Sequence, residues 1–192
     1  MSAPIIGTRV RPSADGMLDV EITHLEMLAR PERPRLPAPA GALLALIRAE
    51  RPTLSFYRYL YNEVGGPWLW YERRIMDDEH LAAILHDPKV QLTVLYAGGV
   101  PAGFYELDAR IARSVELAYF GLVPEFIGRR LGPFLLDRAI EAAWTQQPDR
   151  VWVHTCSLDH PKALALYQRA GFVPFRRDRI RIHDPRGMGM ML

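Results

Sequence analysis

Residues 114–144 read SVELAYFGLVPEFIGRRLGPFLLDRAIEAAW, and this stretch constrains the fold more than any other. It opens on an apolar strand run at 114–123 and closes on LGPFLLDRAIEAAW at 131–144. In the second part Leu131, Leu135, Ala139 and Ala143 recur on one helical face, widened by Phe134, Leu136 and Ile140. A strand therefore passes into an amphipathic helix through a short turn carrying Gly128 and Gly132. A second strand-to-helix passage follows, from RVWVHTCSL (150–158) into DHPKALALYQRAGF (159–172). Asp159 stands at the expected N-cap, Pro161 in the first turn and Gly171 at the expected C-terminal stop.

The remaining pattern fits a mixed α/β domain. VQLTVLYA (90–97) and VPAGFYELDA (100–109) flank Gly98-Gly99, a hairpin signal. MLDVEITHLEML (17–28) alternates Leu18, Val20 and Ile22 as a strand does. RPERPRLPAPAG (30–41) is too rich in proline for regular structure. ALLALIRAE (42–50) reads as a short helix. Residues 55–74 begin helically and break at Gly65-Gly66-Pro67, and 77–88 form a helix with an acidic start. The last segment, VPFRRDRIRIHDP, supplies one or two edge strands. Residues 1–16 lack a sustained period and are expected to form a loose arm.

The length of 192 residues suits a single domain over 1–192 with its own core. Net charge is +2 and Cys156 is the one cysteine. A weak overall field offers no argument for nucleic acid or an anionic membrane, and one cysteine excludes an intrachain disulfide or a cysteine metal cluster. No metal is expected. The start of the chain lacks the apolar core of a secretory signal, and AGALLALI (40–47) is too short to span a bilayer. The expectation is a soluble cytoplasmic protein, monomer or homodimer.

The turn itself admits two readings. A loop entering a helix N-terminus exposes unpaired amides at the positive end of the helix dipole, which suits phosphate. It equally serves as an ordinary connection with an exposed Arg129-Arg130 pair. No Gly-Lys-Ser/Thr follows, so it is not a Walker loop, and the dinucleotide G-x-G-x-x-G spacing is absent.

Taken together, the two strand-to-helix segments resemble the GCN5-related N-acetyltransferase superfamily, strongly over roughly 90–176. The resemblance implies a GNAT-like domain with a mixed, mostly antiparallel sheet of six to seven strands. It also implies helices on both faces and a splay between the two central strands. The superfamily binds acetyl-CoA with a turn of the form Arg/Gln-x-x-Gly-x-Gly/Ala. Ile127, Gly128, Arg129, Arg130, Leu131 and Gly132 occupy these positions, with Ile127 and Arg130 departing from the pattern. Phe120, Gly121 and Leu122 match the strand that lies beside the pantetheine arm. His160 stands where the second segment usually has Asn, and Tyr167 matches the tyrosine that often protonates the departing thiolate. The implied activity is acetyl transfer from acetyl-CoA to a primary amine; a CoA-binding module without turnover is the alternative.

An amine is protonated at neutral pH, so the reaction calls for a base. Glu116, eleven residues ahead of Ile127, matches the position of the glutamate base in histone-acetylating members. By simple alternation it shares a face with Phe120 and Leu122. Glu116 is the candidate base, with substrate contact or a structural ion pair as the other roles, and His154 is the next candidate. The aromatics at 56–71 either wall an acceptor pocket or fill the core. Arg58, Glu63, Arg73 and Arg74 are the polar groups there that could orient an acceptor.

Overall fold

A computed structural model describes residues 7–189. Its strands are β1 (Met17–Met27), β2 (Leu44–Ala49), β3 (Val90–Ala97), β4 (Val100–Asp108), β5 (Ser114–Leu122), β6 (Arg150–Cys156) and β7 (Val173–His183). Its helices are α1 (Leu54–Gly65), α2 (Glu72–Ile75), α3 (Asp78–Leu85), α4 (Leu131–Trp144) and α5 (Ala163–Ala170). All seven strands join one sheet in the order β2-β3-β4-β5-β6-β1-β7. Only β5 and β6 run parallel. The α/β class, the strand count and the mostly antiparallel sheet are as expected from the resemblance.

Alternation along β4 assigns the two faces. Tyr105 and Leu107 join the core under α4 and α5, with Leu131, Leu135, Ala139 and Tyr167. Phe104 joins the opposite core, under α1 and α3, with Tyr57, Leu60, Leu81 and Leu85. Each of these leucines contributes about 1.5–3 kcal/mol by leaving water. Local signals fix the ends. Thr53 accepts from the Phe56 N–H, Asp77 from the His80 N–H, and Gly171 ends α5 at φ +107°. Gly98 and Gly99, at φ +61° and +87°, make the two-residue hairpin turn between β3 and β4.

Two expectations are corrected. Residues 42–50 are not a helix: Leu44–Ala49 pair antiparallel with β3, from Leu44↔Ala97 to Ala49↔Leu92. A six-residue apolar run fits either period. The open backbone of β3 decides it, because a strand there gains ladder hydrogen bonds that an isolated short helix lacks. Nor does α5 begin at Asp159. Lys162 is its N-cap, and the Asp159 carboxylate instead accepts from Thr155 Oγ1 at 2.8 Å and from the Cys156 N–H at 2.9 Å. Asp159 thereby holds the turn leaving β6.

The expected loose arm at 1–16 lies outside the described residues over 1–6. Residues 7–16 carry no helix or strand, and the Thr8 N–H donates to the Pro67 carbonyl at 2.8 Å.

Two further features of the fold position the site. Strand β1 lies between β6 and β7, antiparallel to both. Residues 28–43 then cross α4 toward the far edge of the sheet. Asp137 of α4 accepts from Arg33 at 2.5 Å and from the Leu36 N–H at 3.0 Å, while Arg138 donates to the Leu36 carbonyl at 2.8 Å.

Candidate active site

The ladder between β5 and β6 runs from Ser114↔Arg150 to Glu116↔Trp152 and stops. Beyond it β5 continues to Leu122 and β6 to Cys156, with no pairing between them. This is the expected splay. A cleft of about 870 Å³ passes through it, from the α4–α5 side of the sheet to the other face.

On the α4–α5 side stands the turn 127–130. Gly128 takes φ +89°, and Arg130, the N-cap of α4, takes φ +60°. Arg130 thus holds a left-handed backbone, the conformation that a glycine at that motif position would adopt freely. For an L-residue this costs roughly 1–2 kcal/mol. Among the described residues, the N–H groups of Gly128, Arg129, Arg130, Leu131 and Gly132 donate to no backbone carbonyl. A β-carbon on Gly132 would meet nothing nearer than Leu122 Cδ1 at 3.8 Å, so the protein's own packing does not demand glycine there. Arg130 at the turn, and Lys162 and Arg169 near the two ends of α5, add cationic side chains to the cleft lining. Open amides, a bare backbone and three cations fit a pyrophosphate.

Ile127, Gly128, Arg130, Gly132, Phe120, Gly121, Leu122 and His160 all line the cleft. Arg129 and Leu131 do not. The Arg129 guanidinium lies over the Phe126 ring, 4.9 Å from its centroid, and Leu131 is buried in the core. Each offers only its backbone amide. His160 stacks edge-on against Trp68, with ring centroids 5.2 Å apart, and its Nδ1 accepts from the Lys162 N–H. Burial, aided by Lys162, depresses its pKa and keeps it neutral.

Tyr167 is buried, between Phe120 and Phe172 at centroid distances of 6.0 Å and 5.9 Å, and lines the cleft. Its hydroxyl has no protein hydrogen-bond partner among the described residues. Burial pushes its pKa well above that of a free phenol, so it stays protonated.

Glu116 does not share a face with Phe120 and Leu122. The β4–β5 register runs Glu106↔Tyr119 and then Leu107↔Leu117, so Ala118 is bulged out. The bulge reverses the alternation. Phe120 and Leu122 face α4, whereas Glu116, Tyr119 and Gly121 face the other way. There Glu116 Oε1 lies 3.4 Å from Nδ1 of His154, a half-exposed side chain on the cleft wall. The Glu116 carboxylate, accepting from the His154 ring N–H, raises the His154 pKa above the usual imidazole value, despite the opposing effect of burial.

Of the aromatic segment, Trp68, Trp70 and Tyr71 line the cleft, while Tyr57 and Tyr61 are fully buried in the core. None of the four polar candidates in that segment reaches the cleft. Arg58 binds Asp78 and the Met76 carbonyl. Glu63 and Arg74 border a separate, smaller pocket. Arg73 is buried against Glu106 at 2.9 Å, and Glu106 also accepts from Tyr57 at 2.5 Å. Burial alone would lower the Arg73 pKa; the Glu106 carboxylate reverses this and holds it above the ordinary value.

Four charged residues on the cleft escaped the sequence reading: Glu72, Asp159, Lys162 and Arg169. The last two flank Tyr167 on one segment, a signal that was present. Glu72, which accepts from the Tyr61 hydroxyl at 3.0 Å, neighbours the arginines that were considered.

The acetyltransferase (GNAT) family model matches residues 55–172, more than half of the chain. The chain belongs to the GNAT family. A GCN5-related N-acetyltransferase from Sphaerobacter thermophilus is similar at 18% identity and TM-score 0.60, over 90% of this chain and 51% of that one. Another GCN5-related N-acetyltransferase, from Kribbella flavida, is similar at 18% identity and TM-score 0.53, over 88% of this chain and 60% of that one. A spermidine N-acetyltransferase from Vibrio cholerae, solved with CoA and spermine, is similar at 23% identity and TM-score 0.57, over 76% and 98%. The GNAT chain thus spans 51% and 60% of the length of the first two. These likenesses are of fold. No curated protein is matched.

Proposed function

We propose that this protein transfers an acetyl group from acetyl-CoA to a primary amine by direct attack within a ternary complex. The observation that carries the reading is the cleft through the splay, with open amides on one wall and, on another, His154 backed by Glu116, which does not itself line the cleft.

Acetyl-CoA supplies a thioester, an activated acyl group with a thiolate leaving group. The amides of residues 128–132, with Arg130, Lys162 and Arg169, hold its phosphates. The unpaired edge of β5 at Phe120–Leu122 lies beside the arm that carries the thioester. His154 takes one proton from the acceptor ammonium, with Glu116 behind it to orient the ring and stabilise the imidazolium. The neutral nitrogen then forms a C–N bond with the acyl carbon, and the C–S bond breaks with its electron pair on sulfur. The nitrogen sheds a second proton. Tyr167 stays protonated and donates a hydrogen bond to the developing thiolate, which finally gains one proton. The products are N-acetylamine, free CoA thiol and one proton released. Holding both substrates in one cleft supplies much of the remaining acceleration.

The test is thiol release from acetyl-CoA against amines, amino acids and peptides, with CoA binding measured in parallel by calorimetry. Amine-dependent release is the expected result. CoA binding without release for any amine favours a binding module instead.

A further inference from the structure

We infer that the acceptor is a primary amine carried on an apolar body, with no carboxylate beside the amine. The inference rests on the acetyltransferase reading and names its substrate class.

The floor of the acceptor end is a strip from three adjacent strands. The register sets Ile22 opposite Cys156 and Val20 opposite Ile180, so these side chains share one face of the sheet. Ile182 and Leu158 extend the strip. Burial and the nearby Asp159 push the Cys156 thiol up to about 12, so at neutral pH it is one more apolar group. The strip is not sealed by the protein itself: Ile180 remains 42% exposed. Trp68, Leu69 and Trp70 stand across from it on the cleft wall. Apolar groups in such a site discriminate by the area they bury.

The polar groups here are few. Glu72 and His154 line the cleft and can receive an ammonium or its proton, with Glu116 behind His154 at 3.4 Å. Asp159 is already engaged by Thr155, the Cys156 N–H and Trp70 Nε1, the last at 3.4 Å. The arginines on the cleft belong to the α4 turn (Arg130) and to the last turn of α5 (Arg169), and Lys162 stands at the start of α5 beside His160. A carboxylate on the acceptor would therefore meet the Glu72 carboxylate among the apolar groups. Beyond one that pairs with Glu72, the further ammonium groups of a polyamine would lie unpaired on the isoleucine strip. Both arrangements carry a desolvation cost that an aryl or branched-alkyl body avoids.

The experiment is a kcat/KM series by thiol release with phenethylamine, isopentylamine, ethylamine, phenylalaninamide, phenylalanine and spermidine. Phenethylamine and phenylalaninamide should exceed ethylamine, spermidine and phenylalanine on the order of 10–10²-fold. The amide–acid pair isolates the carboxylate, because the ring and the amine are the same. Ile180→Glu places a charge on an exposed edge strand that tolerates it. It should lower the ratio of phenethylamine to spermidine at least about tenfold, with CoA affinity by calorimetry unchanged. Turnover in which spermidine or phenylalanine equals or beats phenethylamine overturns the inference and leaves acetyl transfer standing. An unchanged ratio in folded Ile180→Glu protein removes the strip as the determinant and overturns it too. Failure of every amine, with CoA bound, overturns acetyl transfer and the inference together.

Discussion

Glu116 and Phe120 lie on one strand and face opposite sides of the sheet, because Ala118 is bulged out between them. One strand thereby presents a carboxylate to His154 on one face and an aromatic ring to Tyr167 on the other. In the proposed mechanism, proton removal from the acceptor and support of the leaving sulfur are thus served from two sides of β5.

Glu116→Gln should lower kcat on the order of 10²-fold and move the acidic limb of the pH–rate profile to lower pH. Glu116 raises the His154 pKa. A base must be neutral to act, so the rate falls as pH drops through that raised pKa. Removing the carboxylate lowers the pKa and carries the limb with it. The profile of kcat/KM for both proteins checks this, and a limb that stays in place detaches Glu116 from the proton transfer.

Tyr167→Phe keeps the ring between Phe120 and Phe172 and removes only the hydroxyl. The expected loss is on kcat, on the order of 10–10³-fold, with little change in KM. With no internal hydrogen bond to lose, stability in urea should shift by less than about 1 kcal/mol. Unfolding and turnover measured on one preparation separate catalysis from packing.

Gly132→Val should leave the fold intact, since a β-carbon there meets Leu122 and Leu166 at ordinary contact distances of 3.8 and 3.9 Å. Its branches would nonetheless stand over the open amides. CoA affinity by calorimetry should fall about tenfold or more. Unchanged affinity in folded protein would remove this turn as the phosphate site.

Arg130→Gly should move two quantities in opposite directions. Relief of the left-handed backbone at φ +60° should stabilise the protein by about 1 kcal/mol. Loss of a charge at the phosphate end should weaken CoA and flatten the salt dependence of its binding. Denaturant midpoints and calorimetry at two salt concentrations read both.

Arg73→Met should cost about 3–5 kcal/mol, because it strands the fully buried Glu106 carboxylate. Pairing it with Glu106→Leu should recover much of that loss. Urea titrations of the single and double variants form the cycle, and a double variant no better than the single would show that the pair's worth is not electrostatic.

Helix α4 was legible to both ends because its core residues repeat at the helical period and its turn is punctuated by glycines. The Gly98-Gly99 hairpin was legible for a similar reason. Strand β2 was not, since LALIRA fits two periods and only its partner decides. The side of the sheet taken by Glu116 was also hidden. Parity is readable until a bulge resets it, and nothing in ELAYF marks Ala118 as the extra residue. The isoleucine strip joins residues near 20, 156 and 180, which only the strand order brings together. Its existence was therefore invisible to spacing, whereas the turn at 127–132, contiguous in the chain, was not.

The position of β1 between β6 and β7 also dictates when the sheet can be closed. On the ribosome Met17–Met27 is made well before both strands that flank it, Arg150–Cys156 and Val173–His183. The strand has no ladder partner while all of β2 to α4 is synthesised. Closing so long a loop adds an entropic cost to the final step, and contacts of such wide sequence separation slow folding. Until then β1 carries two open hydrogen-bonding edges that another nascent chain could occupy. The strand that floors the acceptor end is thus the piece whose delayed capture sets the risk of aggregation during biogenesis.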